Sequence, residues 1–424
     1  MAALPSPSLV LSFEDARRVV EQHASLLSPG TKETVTLLNA AGRILGEPVP
    51  ADRDIPPFPR CTRDGYAVRA ADLAQLPATL TVIGEIKAGP LPGKVLSPLN
   101  PGEAFSIMTG APVPPGADAV VMIEYTSLQG NCVEVSKNVA PGENIVAQGA
   151  EGNRGSLLLD RGTHLNEAAI ALAASVGKAQ LQVFVRPRIA VLTTGDEIVE
   201  VDAVAGPTQI RNSNKYSLAV QIQQAGAEPV LLPIAPDEPC RLRQLMEQGL
   251  QSDLLLMTGG VSMGRYDLVE QVLAELHAEF FFTGAAIQPG RPVVFGSCGA
   301  GTLDREASAP VSPKYFFGLP GNPVSTMVTF ELFARPMIEA LAGMSPRPLA
   351  FLHARLKSEI RVKSGLTRFL PAVLSGQFEN AQAELVPWHG SGDIAARFRS
   401  NCLLVIPPDR EHIAAGEWIA VMLR

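Results

Sequence analysis

Positive charge is scarce in this chain. Thirty-five Lys and Arg stand against 42 Asp and Glu, a formal net charge of -7. A general nucleic-acid binder needs the opposite balance on one face. An anionic small ligand is not excluded, because backbone amides at helix N-termini bind anions without basic side chains. Cysteine is scarce too. Cys61, Cys132, Cys240, Cys298 and Cys402 are odd in number, widely spaced and free of any C-x-x-C pair. That argues against a disulfide frame or a cysteine zinc site and for the reduced thiols of a cytosolic protein. The six histidines form no H-x-H or H-E-x-x-H, which argues against a first-row metal held by imidazole. Residues 1–10 lack the basic start of a secretory signal. Long apolar runs are missing as well: the most apolar stretch, 168–185, is broken by Lys178, Gln180 and Gln182, too interrupted for a membrane span. No G-x-G-x-x-G follows an apolar run, which removes a nicotinamide dehydrogenase.

What is present is a globular composition, 46% hydrophobic and 18% charged over 424 residues, long enough for two to four domains. The chain is organised around four short apolar runs, 189–192, 229–234, 254–257 and 315–317. Three lead into glycine turns: Thr193-Thr194-Gly195-Asp196-Glu197, Thr258-Gly259-Gly260-Val261-Ser262 and Gly318-Leu319-Pro320-Gly321-Asn322-Pro323. Short Val/Ile/Leu runs followed by helical patterns read as buried strands of a parallel sheet, whose ligands bind at the carboxyl ends. The spacing predicts an α/β domain over 186–345, with helices over 212–225 (Gly226 at C′), 238–250 (Pro239 in its first turn) and up to His277. Residues 300–312 read as a small, polar surface excursion.

Elsewhere, Ser12 caps a helix carrying Phe13, Ala16, Val20, Ala24 and Leu27, with Asp15 in the capping-box position. A second helical pattern covers 33–41 and a third covers 167–175, ending at Gly177. Residues 51–146 hold short runs at 80–83, 119–122 and 132–135 between Pro-Gly pairs, which predicts an inserted, mostly β domain. Residues 1–50 with 147–185 then form a discontinuous N-terminal or linker domain. Runs at 351–356, 369–374, 383–386, 402–406 and 418–422 predict a barrel-like β domain over 346–424.

Several residues carry candidate chemistry. Asp196 and Glu197 sit where a strand enters a glycine turn, and such carboxylates either hold a hard cation or simply face solvent. Asp237 precedes a helix, and Asp267 with Glu270 makes a capping box, so helix capping explains both. The 258–264 and 318–325 turns bring small residues where backbone amides can approach a phosphate. Asp64 precedes a glycine, the ordinary setting of a turn aspartate. Arg291 is suited to an oxyanion or is a solvated loop cation.

Six motifs stand in order: Asp64-Gly65-Tyr66-Ala67, Met108-Thr109-Gly110-Ala111-Pro112-Val113-Pro114, Thr194-Gly195-Asp196-Glu197, Thr258-Gly259-Gly260-Val261-Ser262, Gly290-Arg291-Pro292 and Leu319-Pro320-Gly321-Asn322-Pro323-Val324-Ser325. Together, over nearly the whole chain, they resemble the molybdopterin molybdenumtransferase family, which includes the gephyrin E domain. The resemblance implies a four-domain, elongated homodimer whose central α/β domain is similar to molybdopterin adenylyltransferase. It implies a magnesium-dependent reaction of adenylylated molybdopterin with molybdate, giving molybdenum cofactor and AMP in the cytoplasm. Molybdopterin adenylyltransferase and cofactor-accepting molybdoenzymes are its implied partners. Catalytic positions carried over are Asp64, Thr109, Glu197, Asp237 and Asp267, with Glu197, Asp237 and Asp267 holding the metal. Substrate-binding positions are Glu151, Thr194, Gly195, Gly259, Gly260, Ser262, Gln288, Arg291, Pro320, Pro323 and Ser391. In the family Asp64 reaches the active site of the other subunit. The chain departs from the family at Gly284, Gln288 and Pro371, where basic residues are usual, and Arg368 lies three residues before Pro371. A non-catalytic molybdopterin-binding scaffold or carrier of the same fold is the alternative reading.

Overall fold

The computed structural model describes residues 9–89, 96–260, 268–299, 313–345 and 347–423. Its centre is a six-stranded sheet in the order Glu228–Leu231, Arg188–Thr193, Leu254–Thr258, Lys314–Leu319, Val294–Cys298, Ala278–Phe282. The first four strands are parallel, with Ile189 opposite Leu254 and Leu254 opposite Tyr315. The last two are antiparallel. This antiparallel edge was not expected from the sequence; in its Val294–Cys298 strand Gly296 and Ser297 break the apolar run. Gly296 is there for space: a Cβ would lie 2.6 Å from the Phe316 ring and 2.4 Å from the Glu279 carbonyl.

Side chains alternate across each strand. Ile189, Val191, Leu254, Leu256 and Phe317 face one core, and Ala190, Leu192, Leu255, Met257 and Phe316 face the other. Helices Ser213–Gln224, Pro323–Thr329 and Arg335–Leu341 close the first core through Leu218, Ile222, Val324, Val328, Met337 and Ile338. Helices Pro239–Gly249 and Leu268–Glu275 close the second through Leu242, Leu245, Met246, Val269 and Val272. Both faces are therefore covered, the doubly wound arrangement. Phe282, Phe295, Phe316, Phe317, Phe330 and Phe333 are fully buried here, and removal of each from water contributes roughly 2–3 kcal/mol.

The Phe13–Ser25 helix forms as its spacing predicts, but its apolar stripe of Ala16, Val20 and Ala24 completes the first core of the α/β body. The Val10–Leu11 strand pairs in parallel with Gly284–Ala285. At the helix start Ser12 Oγ accepts from the Asp15 N–H at 3.0 Å and donates to Asp15 Oδ2 at 2.8 Å. The acid is thus engaged by the capping hydroxyl itself.

The predicted helix over 33–41 does not form. Lys32–Thr36 is a strand, antiparallel to Gln180–Phe184, and a short 3-10 turn, Leu38–Ala40, follows. Thr34, Val35 and Thr36 are β-branched and favour an extended backbone once a partner strand is available. Val35 then sits opposite Leu181, and Ala40, Leu45, Val49, Leu159, Leu165, Ala173, Leu181 and Val183 form a small core of their own.

The inserted β region is a six-stranded sheet in the order Ala119–Met122, Gly65–Val68, Glu103–Ile107, Ala78–Ile86, Cys132–Val135, Thr126–Gln129. The C-terminal strands Thr367–Ser375, Gln382–Leu385, Phe351–Leu356, Trp418–Leu423 and Cys402–Ile406 pair in that order, and the last pairs back to the first, closing a barrel. The Ile287–Gln288 strand of the α/β body adds to this barrel in parallel, opposite Thr367 and Arg368. All five cysteines are free thiols.

Candidate active site

The carboxyl edge of the parallel strands is where the predicted residues meet. Thr193 and Thr194 are buried, the Thr194 N–H donates to the Thr258 carbonyl at 3.0 Å, and Gly195 turns at φ +132. A Cβ on Gly195 would stand 2.6 Å from Glu197 Oε2, so glycine is what lets the Glu197 carboxylate fold back over the turn. Asp196 and Glu197 are both exposed. The Asp237 N–H donates to Asp196 Oδ1 at 3.1 Å. Capping does not explain Asp237: the residue at the N-cap of the Pro239–Gly249 helix is Glu238, and it makes no side-chain cap bond. Partial desolvation raises the Asp237 pKa, and the charges of Asp196 and Glu197 raise it further. These are three carboxylates that repel one another at a strand end.

That repulsion has a measurable sign. A carboxyl whose folded pKa is raised favours the folded state below its unfolded value, about 4, and loses that contribution as pH rises through the folded value. In cation-free buffer at pH 7, Asp237→Asn should therefore raise the melting temperature slightly, by the equivalent of under about 0.5 kcal/mol at this exposed position. The gain should shrink towards pH 4. Thermal melts in chelator test this, and a lower melting temperature for the variant at pH 7 would contradict it.

Below the carboxylates lies a floor of buried polar groups. Asn214 Nδ2 donates to Thr258 Oγ1 at 2.9 Å and to the Gly321 carbonyl at 2.7 Å. The hydroxyls of Thr258 and Thr326 both donate to the Pro320 carbonyl, at 3.1 and 2.5 Å. Asn214 thus ties the end of the 254–258 strand to the turn after 314–319, and Thr326 ties the Pro323–Thr329 helix to the same turn. Thr194 Oγ1, Asn212 Nδ2 and Asn214 Oδ1 are sealed from solvent and have no hydrogen-bond partner among the described residues. Gly259 and Gly260 turn at φ +91 and +57, and Gly321 comes within 3.6 Å of the Gly259 Cα at its missing Cβ. Pro323 occupies the first helical turn after Asn322, whose side chain makes no cap bond. The sequence reading passed over Asn212 and Asn214; the one signal was two asparagines at a helix start, and Asn212 does cap that helix through the Lys215 N–H at 3.1 Å. Ser262 and Asp267 lie outside the described residues.

The C-terminal barrel reaches the same edge. The Ser391 carbonyl accepts from the Val324 N–H at 2.9 Å, next to Pro320 and Pro323. Gln288 is held by Arg368, whose Nε donates to its Oε1 at 2.8 Å. Arg291 is exposed. Gly284 is covered by the N-terminal strand: a Cβ there would meet Val10 Cγ2 at 3.1 Å. Pro371 sits within a barrel strand opposite Leu403.

Asp64, Thr109 and Glu151 make their contacts outside the α/β body. The Thr109 N–H and Oγ1 both donate to Asp64 Oδ1, at 2.7 and 2.8 Å, and hold that carboxyl below its usual range. Glu151 pairs with Arg60 at 2.5 Å. Among the described residues no hydrogen bond or ion pair joins Asp64, Thr109 or Glu151 to the α/β crevice. Nor do any three His, Cys, Asp or Glu among them converge as a metal-ligand set. A cavity of about 310 Å³ lies elsewhere, beside the barrel, and includes Arg17, Glu331, Arg335, Glu339 and Arg347 in its wall. Its acids and bases pair with one another (Glu331 with Arg335 at 2.6 Å, Glu339 with Arg347 at 2.9 Å), so the chemistry is better placed at the crevice. No helix among the described residues is long and apolar enough to cross a membrane.

Residues 11–177 match the model of the MoeA N-terminal region (domain I and II), 190–340 that of a probable molybdopterin binding domain, and 353–423 that of the MoeA C-terminal region (domain IV). A molybdopterin molybdenumtransferase of Nostoc sp. strain PCC 7120 is 36% identical over 400 residues, 92% of this chain and 88% of the relative. One from Bacillus subtilis strain 168 is 32% identical over 404 residues, 93% and 90% of the two chains. The crystal structure of the molybdopterin biosynthesis moeA protein from Pyrococcus horikoshii OT3 superimposes with a TM-score of 0.76 at 27% identity, covering 98% of this chain and all (100%) of the other. A second structure of a P. horikoshii moeA protein gives 0.69 at 32% identity, covering 98% and 99%. Three matched regions in one order, relatives of this identity along nearly the full length, and the doubly wound domain with its inserted sheet and closing barrel agree: the chain belongs to the MoeA family of molybdopterin molybdenumtransferases.

Proposed function

We propose that this chain transfers molybdenum from molybdate to adenylylated molybdopterin, with magnesium-dependent cleavage of the adenylate, and releases molybdenum cofactor and AMP. The observation that carries this reading is the charge coupling of Asp196 and Glu197 to Asp237 at the carboxyl edge of the parallel strands, which among the described residues falls short of a closed ligand set. Mutually repelling carboxylates are relieved by a hard divalent cation, and oxygen donors are what magnesium prefers. Glu197 and Asp237 would hold the ion, with Asp267 added by family resemblance. Bound there, magnesium supplies neutralisation of the phosphoanhydride charge. Thr194, Asn212 and Asn214 are buried beneath the crevice, and the Gly259-Gly260 and Pro320-Gly321 turns let a substrate approach the backbone closely.

Asp64 with Thr109, and Glu151 with Arg60, form two pairs that no hydrogen bond or ion pair among the described residues joins to the α/β crevice. That separation supports a crevice shared between two copies, with the inserted domain of one copy serving the α/β domain of the other in a cytoplasmic homodimer. Molybdopterin adenylyltransferase then supplies the substrate, and molybdoenzymes take the product.

AMP release from adenylylated molybdopterin, measured with magnesium in the presence and absence of molybdate, tests the reading. Molybdate-dependent release is expected. A second reading, a carrier that binds without cleaving, draws on Gly284 and Gln288, where the family's usual basic residues are missing. Tight substrate binding with no AMP release under any condition would replace the first reading with the second.

A further inference from the structure

We propose that Asn214 is a positioning residue: its carboxamide sets the spacing of the two turns that floor the crevice, and so how tightly the crevice holds molybdopterin. The proposal rests on the carboxyl edge of the parallel strands being the molybdopterin crevice. The need for such a residue follows from the chain itself. The ladder between the Leu254–Thr258 and Lys314–Leu319 strands ends with Thr258 opposite Leu319. Pro320 comes next and has no N–H, so backbone pairing cannot continue into the turns. Side chains take over from there. The Pro320 carbonyl accepts from the hydroxyls of Thr258 and Thr326, and the Gly321 carbonyl accepts from Asn214 Nδ2 at 2.7 Å. The same Nδ2 donates to Thr258 Oγ1 at 2.9 Å. The turns are thereby held in contact: the missing Cβ of Gly321 would stand 3.6 Å from the Gly259 Cα.

Helix chemistry does not explain Asn214. The cap of the Ser213–Gln224 helix is Asn212, through the Lys215 N–H. Asparagine is a weak helix former, yet Asn214 stands in the first turn at only 6% exposure. Both bonds of its Nδ2 go to residues outside the helix. Direction matters as well as reach. The Gly321 carbonyl can only accept, so the NH₂ end of the amide must face the turns. With Asn214 donating, the single Thr258 hydroxyl proton is left for the Pro320 carbonyl. A carboxylate of the same shape cannot donate. It would draw the Thr258 proton away from Pro320 and set a negative charge against the Gly321 carbonyl. Asn214→Asp therefore upsets three bonds with almost no change of volume.

Equilibrium binding of molybdopterin without its adenylate, at a temperature where thermal melts show each variant folded, tests this separately from cleavage. Asn214→Asp is expected to bind about ten- to a hundredfold more weakly, the scale on which a small misplacement of a site is felt. Thr258→Val, which removes the shared hydroxyl, should lose a similar factor, and Thr258→Ser, which restores it, should recover most of that loss. Combining Asn214→Asp with Thr258→Val should be little worse than either change alone, because each breaks the same unit. A purely structural Asn214 would give Asn214→Asp a lower melting temperature with affinity untouched. Affinity within twofold of wild type, or fully additive losses in the double variant, would overturn the proposal. So would a wild type that binds no molybdopterin, because the crevice itself would then be misplaced. A wild type that binds molybdopterin but releases no AMP from the adenylylated form overturns the cleavage reading instead, and the losses in the variants still decide the role of Asn214.

Discussion

Glu197→Gln is expected to slow molybdate-dependent AMP release by about 10²–10³-fold, the usual effect of removing one charged group aimed at a reacting phosphate or its cation. The substitution keeps volume and hydrogen-bonding shape and removes only the charge. Glu197 is exposed on a turn, so folding should change by less than about 0.5 kcal/mol. It also relieves one of the two charges that raise the Asp237 pKa. Magnesium should accordingly raise the melting temperature of wild type and raise that of the variant much less. Single-turnover AMP release and thermal melts at several magnesium concentrations measure both effects. A variant that releases AMP within twofold of the wild-type rate would remove Glu197 from the chemistry.

Gly259→Ala should be the most damaging small substitution at the crevice. Gly259 turns at φ +91, and an added methyl would lie 2.3 Å from the Thr194 carbonyl oxygen and 3.2 Å from its hydroxyl. The first obstacle is backbone of a central strand end, which cannot rotate away. Left-handed backbone and the clash together should cost about 3 kcal/mol or more, a fall of roughly 5–10 °C in melting temperature. Gly30→Ala is the control: nothing lies within 4 Å of its missing Cβ, and its φ is not positive. That change should stay within about 0.5 kcal/mol. Equal melting temperatures for the two variants would show that the Gly259 turn can move.

What could be read from the sequence follows from how local the signal was. The 189–192 and 254–257 runs are buried on both faces, so they show as unbroken aliphatic segments, and the turns after them name the crevice. Asp196 and Glu197 follow the 188–193 strand directly, whereas Asp237 lies beyond the Glu228–Leu231 strand, reads locally as a helix cap and entered the site only through the family resemblance. The Lys32–Thr36 strand was not, because its spacing fits a helix and only its partner 180–184 decides otherwise. The role of Asn214 depends on Thr258 and Gly321, 44 and 107 positions away, which no window along the chain contains. The Gln288–Arg368 contact is equally remote, 80 positions apart, and depends on which barrel strand accepts the short 287–288 strand.

The pairing of Val10–Leu11 with Gly284–Ala285 bears on how the molecule is made. The Leu9 N–H bonds to the Thr283 hydroxyl, 274 positions later in the chain, and the Phe13–Ser25 helix fills a core whose other walls are mostly translated after residue 188. At ribosomal rates of about 5–20 residues per second, that opening segment waits roughly fifteen seconds to a minute for its partners. These residues are made long before the strands and helices they dock against. Throughout that interval the stripe of Ala16, Val20 and Ala24 lacks its core, and a nascent chain of this protein offers holdase chaperones an apolar helix face.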